Sequence, residues 1–139
     1  MGTRALIGYN SEDGWRAVYH HWDGYPSGLG AELHERYQKC NDLAQLIKEV
    51  ITGHPSGWST LMGDKPECYC HDRGESEDPL WTAEDLEAAN RDGIDIEYVY
   101  TLFPMHELGR PMMNVEDCRA GTLRKVYLDR PLPKWMKED

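Results

Sequence analysis

At 139 residues, with 40% hydrophobic and 29% charged content, the chain is expected to form one globular domain rather than a disordered or fibrous segment. No apolar run approaches the ~20 residues of a membrane helix, and the stretch Met1–Gly8 lacks the long apolar core of a secretory signal. The formal charge of -10 argues against binding bulk nucleic acid, which needs clustered Lys and Arg. A cytoplasmic protein with reduced thiols is the expectation, with neither a membrane nor a nucleic acid as its partner.

In chain order, residues 3–9 read as a short strand and Asn10-Ser11-Glu12-Asp13-Gly14 as a hairpin turn. Residues 15–22 return as a second strand, with Ala17, Tyr19 and His21 on one face and Val18, His20 and Trp22 on the other. Both faces carry apolar bulk, so the strand is expected to be central, with His20 and His21 on opposite sides. A helix is expected over 28–38, with Leu29, Leu33 and Tyr37 along one stripe. Asn41 is expected to cap a second helix, whose core stripe is Leu43, Leu46, Ile47, Val50 and Ile51 and which Gly53 ends.

Residues 54–66 read as a loop with Trp58 tucked inward, followed by a short strand over 67–71. Thr82 has the position of an N-cap, with Asp85 third in the helix and Trp81 placed to staple onto Leu86; the helix ends near Gly93. The apolar run 94–103 predicts a strand, 104–114 an irregular excursion, and 123–128 a final strand before a Pro-rich tail containing Trp135. The order β-β-α-α-β-α-β-β predicts an α+β fold, a mainly antiparallel sheet with helices packed on one face.

The densest chemistry lies in His20-His21-Trp22-Asp23-Gly24-Tyr25-Pro26-Ser27-Gly28-Leu29-Gly30. Imidazole, indole, carboxylate and phenol side chains on a shaped turn between regular elements are how a scaffold presents a site. A second cluster, His71-Asp72-Arg73-Gly74-Glu75, follows the third strand. There Arg73 could clamp a phosphate or carboxylate, or bridge Asp23, Asp72 or Glu75 as an internal ion pair. Asp23 and Asp72 could face each other for acid–base work or a divalent cation.

Cys68-x-Cys70 beside His71 invites a zinc reading, but structural zinc sites use pairs spaced by two to four residues and no second pair occurs. Buried strand cysteines are the simpler expectation, and Cys40 and Cys118 carry no mark of a nucleophile. Residues 64–97 hold twelve carboxylates against Lys65, Arg73 and Arg91, whereas the last thirty residues lean basic through Arg110, Arg119, Arg124, Lys125, Arg130, Lys134 and Lys137. The acidic stretch reads as a solvated face, or as a surface that competes with nucleic acid for a basic partner. No Walker loop, His-Glu-x-x-His, Gly-x-Ser-x-Gly or Gly-x-Gly-x-x-Gly pattern is present, so neither a cofactor nor a metal is assigned.

Gly2-Thr3-Arg4, the run Val18–Pro26 with Gly28 and Gly30, and Asp72-Arg73-Gly74-Glu75 occur in that order. Together they resemble a family of small uncharacterised bacteriophage and prophage proteins. The resemblance spans residues 2–103, and one α+β domain over 1–103 is expected to carry both motifs. Residues 104–139 depart from it as a C-terminal extension expected to pack on the same domain. A phage setting implies a small binding protein in the host cytoplasm that inhibits a host protein, for instance one of defence, or sequesters a small anionic or nucleotide ligand. The expected site lies between the 20–30 turn and the 71–75 loop. Trp22 and Tyr25 would stack on a flat ligand, Arg73 would hold an anion, and His21 and Asp23 would supply directional hydrogen bonds. The alternatives are a metal-assisted or general acid–base hydrolase acting on a nucleotide, with Asp23, Asp72 and Glu75 on a cation, and a structural interaction module without a ligand.

Overall fold

The computed structural model describes residues 3–11, 14–53, 57–61, 67–68, 81–103 and 110–137. The fold is α+β, built on a mixed, mostly antiparallel sheet. Its strands are β1 (Ala5–Ser11), β2 (Gly14–His20), β3 (Trp58–Thr60), β4 (Glu67–Cys68), β5 (Tyr98–Phe103), β6 (Met112–Asp117) and β7 (Thr122–Tyr127), in the spatial order β4-β3-β2-β1-β5-β6-β7. β1 pairs antiparallel with β2 and parallel with β5, while β5–β6 and β6–β7 are antiparallel. The outer edge of β2 meets β3 at His20 and Trp58, and at Ala17 it exchanges two backbone hydrogen bonds with Trp81.

The helices are α1 (Ala31–Cys40), entered through a π-helical turn at Pro26–Gly30, α2 (Leu43–Ile47), continued by a π-helical turn at Lys48–Thr52, and α3 (Ala83–Arg91). Alternation along the strands divides the core in two. Ala5, Ile7, Val18, Tyr100, Leu102, Met113 and Val115 face Leu29, Leu33, Leu46, Val50 and Ile51. Leu6, Ala17, Ile96 and Val99 face the other way, toward Trp81 and Leu86. The helices therefore do not share one face, as the sequence pattern had implied: α1 and α2 cover the first side and α3 lies on the second. The physical reason is that Leu6 and Ala17, buried and pointing away from α1 and α2, need an apolar cover of their own.

Other local expectations are corrected too. Asp42, not Asn41, caps α2, its carboxylate accepting from the amides of Ala44 and Gln45; Asn41 instead ends α1 in the left-handed region at φ 52°. Trp58 does point inward, its indole donating to the Val50 carbonyl at 2.9 Å, but it opens a strand rather than sitting in a loop. Met112–Asp117, whose first three residues were expected to be irregular, is a six-residue strand. The capping box at α3 forms as its residue types require, with Asp85 bonded to the Thr82 amide at 2.7 Å.

Candidate functional site

The turn after β2 is welded to the sheet. Gly24 donates to the Thr3 carbonyl at 2.9 Å, and the buried Tyr100 hydroxyl donates to the Gly24 carbonyl at 2.6 Å. A Cβ at Gly24 would lie 2.4 Å from that Thr3 oxygen, and one at Gly28 would lie 2.6 Å from the Asp23 carbonyl. These two glycines are close-approach residues: any side chain would push the turn off β1 or unwind it. Asp23 takes a left-handed φ of 56°, tolerated best by Asp and Asn outside glycine. Its carbonyl accepts from Leu29 at 3.0 Å, and its carboxylate accepts from the Tyr25 hydroxyl at 3.1 Å.

The motif residues separate by direction. His20 is fully buried, and its Nε2 accepts from the Leu61 amide at 2.9 Å. Burial, with a smaller contribution from His21, lowers its pKa from 6.5 to about 4, so the ring is neutral at pH 7 and structural. His21 points to the opposite side, as alternation requires. Its Nδ1 meets the Tyr19 hydroxyl at 2.7 Å, and its ring touches Trp22 edge-on at 4.7 Å. Tyr19 stacks in turn on Trp81 at 6.1 Å, which makes a ladder of four rings on the α3 side. An open cleft of about 520 Å³ lined by Arg4, Tyr19, Trp81, Asp92, Gly93 and Ile94 lies beside it.

Tyr25 belongs elsewhere. With Thr3, Glu97, Tyr98, Asp117, Arg119 and Ala120 it lines a cleft of about 440 Å³ at the end of the sheet. Arg119 Nη2 reaches Glu97 at 2.7 Å and also bonds Asp95, the Asp95 hydrogen bond being the main cause of its raised pKa. Asp117 accepts from the amides of Arg119 and Ala120, both at 3.1 Å, and so shapes the turn that presents the guanidinium. An adjoining cleft of about 280 Å³ is lined by Pro26, Tyr98, Val115, Asp117, Thr122, Arg124 and Trp135, with Arg124 lying over the Trp135 ring at 4.6 Å. Register explains the shared floor: Tyr98 pairs with Asp117 and Asp117 with Thr122, which puts the three in one cross-strand row.

Of the expected site residues, the structure brings Tyr25 to this groove and turns His21 and Trp22 toward the aromatic ladder. Asp23 is exposed, next to Tyr25 through its hydrogen bond. Asp72, Arg73 and Glu75 lie outside the described residues, as do Cys70 and His71. Among the described residues no three His, Cys, Asp or Glu side chains converge to hold a metal ion, and no helix is long and apolar enough to cross a membrane. Tyr98, Arg119, Arg124 and Trp135 went unnoticed as site residues; the basic lean of the last thirty residues was the signal that pointed to the two arginines. Burial, then Glu116, pushes the thiol of Cys118, beside Arg119, up to about 12, which keeps it protonated at neutral pH. Compared with family models, curated proteins and solved structures, the chain matches none.

Proposed function

We propose that this chain is a phage-type small binding protein that sequesters a small anionic ligand of the nucleotide class in the cleft between the Tyr25 turn and the β6–β7 turn. The observation that carries the reading is the pairing of Tyr25 and Tyr98 with the Arg119 guanidinium in one cleft, whose lining also holds Glu97 and Asp117. Aromatic faces suit a flat base, and a planar fork suits a phosphate. Both contacts of Arg119 run through Nη2. A guanidinium carries five N–H donors, and among the described residues only those on Nη2 are engaged. Glu97 and Asp117 supply acceptors for base amino groups or ribose hydroxyls. The phage setting rests on the resemblance of the motifs alone.

Inhibition of a host protein is the second reading, favoured by a separate observation. Trp22, the outer ring of the aromatic ladder, and Ile94, in the cleft lined by Tyr19 and Trp81, are 44% and 42% exposed. Apolar tips rimmed by charge are a common form of protein contact surface. Native mass spectrometry of the purified protein, followed by denaturation, tests the first reading. An adduct of nucleotide mass, lost on unfolding without chemical change, is the expected result. A clean apo mass, together with no heat on titrating nucleotides, overturns it in favour of host-protein inhibition.

A further inference from the structure

Resting on the sequestration reading, we infer that the ligand is two-part, a dinucleotide-class molecule with two separated anionic groups, and that the Pro26–Arg124–Trp135 cleft is its second subsite. Three observations carry this. The two clefts are contiguous, because Tyr98 and Asp117 line both. Each also sets one arginine among aromatic side chains, with Glu97 and Asp117 in the first lining and Asp117 in the second. The first sets Tyr25 and Tyr98 beside Arg119, and the second sets Tyr98 and Trp135 beside Arg124. Tyr98 stands between them, where a ligand could pass from one to the other.

The two cations are also held apart. Arg124 pairs with Val115, two residue pairs inward from the Asp117–Thr122 row and on the same face, whereas Arg119 lies two residues beyond Asp117 in the turn. At ~3.4 Å per strand residue Arg124 sits roughly 7 Å inward of the Asp117–Thr122 row, and Arg119 lies on the other side of that row. Their side chains are anchored by different partners, Arg119 by Asp95 and Glu97 and Arg124 by the Trp135 ring. A single phosphate in the first cleft engages one of them. A ligand with anionic groups at both ends engages both, with its bases against Tyr25, Tyr98 and Trp135.

Isothermal titration of the full chain with mononucleotides (AMP, GMP, UMP) and with the matching 5′-phosphorylated linear dinucleotides tests this. The expected result is a dinucleotide that binds at least tenfold tighter than its mononucleotide, with Arg124→Ala reducing that ratio to threefold or less. Arg119→Ala should weaken both ligand types. Near-ultraviolet circular dichroism of both variants verifies that the aromatic packing is intact. Equal affinity for mono- and dinucleotide, with the ratio unmoved by Arg124→Ala, overturns the two-part ligand and leaves the one-cleft reading standing. Absence of binding by every probe overturns both.

Discussion

The two walls of the groove are held in opposite ways. The Asp23–Gly30 turn is tied down by backbone hydrogen bonds to Thr3 and Leu29, by the buried Tyr100 hydroxyl, and by glycines with no room for a Cβ. The β6–β7 wall has an exposed turn, and its arginines are anchored by surface ion pairs and one ring. The long motif that stands out in the sequence is thus mostly a device for fixing the turn against β1 and β5. The two arginines of the proposed groove come from a segment with no motif. Dense chemistry in a sequence marks where backbone and side chain are constrained, and such constraint serves folding as readily as binding.

If the comparison holds, substitutions in the first wall act on stability and those in the second on ligand. The largest effect is expected at Gly24→Ala. Its Cβ would collide with the Thr3 carbonyl and the Ala5 side chain, and overpacking costs ~1–3 kcal/mol and sometimes more, backbone clashes of this kind falling at the upper end. A fall in the denaturant midpoint would register it; an unchanged midpoint would mean that the turn is not welded to β1.

Buried His20 predicts a pH effect of nearly that size. Its folded pKa of about 4 lies below the unfolded value of 6.5, so its contribution is complete above pH 6.5. As pH falls, the unfolded state takes up the proton first, and stability declines progressively until pH reaches about 4. The full loss is on the order of 3 kcal/mol, since each pKa unit is worth ~1.4 kcal/mol. Urea midpoints at pH 7 and pH 4.5 measure it, and His20→Gln should flatten this part of the profile.

Tyr100→Phe comes next. It leaves the buried Gly24 carbonyl without its donor, at a cost of ~1–3 kcal/mol by thermal or denaturant unfolding. At the small end, Arg119→Ala should leave the melting temperature close to the parent's, because its ion pairs are exposed and solvent-screened. A large drop there would erase the contrast between the walls. If Arg119→Ala instead keeps its fold and loses nucleotide binding, the contrast becomes sharper.

Local patterns were readable wherever the information was local. Alternation along 15–22 placed His20 and His21 on opposite sides, and Thr82 with Asp85 announced the start of α3. Strands that exist through their partners were not readable. Trp58–Thr60 is a three-residue strand among glycines and a proline, formed because it can pair with β2 and β4. Met112–Asp117 follows Pro111 and resembles a loop until β5 and β7 are placed on either side of it. The site divided along the same line. The sequence marked Tyr25, but its neighbour Tyr98 is more than seventy residues away and Arg119 more than ninety, beyond the reach of any local signal.

The α+β class, the hairpin, the helix stripes and the opposed histidines were determined by the sequence itself, since 2.0- and 3.6-residue periodicities and capping chemistry act over a few neighbours. Which face each helix covers, the parallel pairing of β1 with β5, and the meeting of Tyr25 with Tyr98, Arg119, Arg124 and Trp135 were decided only by tertiary structure. Those choices depend on which buried surfaces find cover and which distant strands find partners, and only the assembled chain settles that competition.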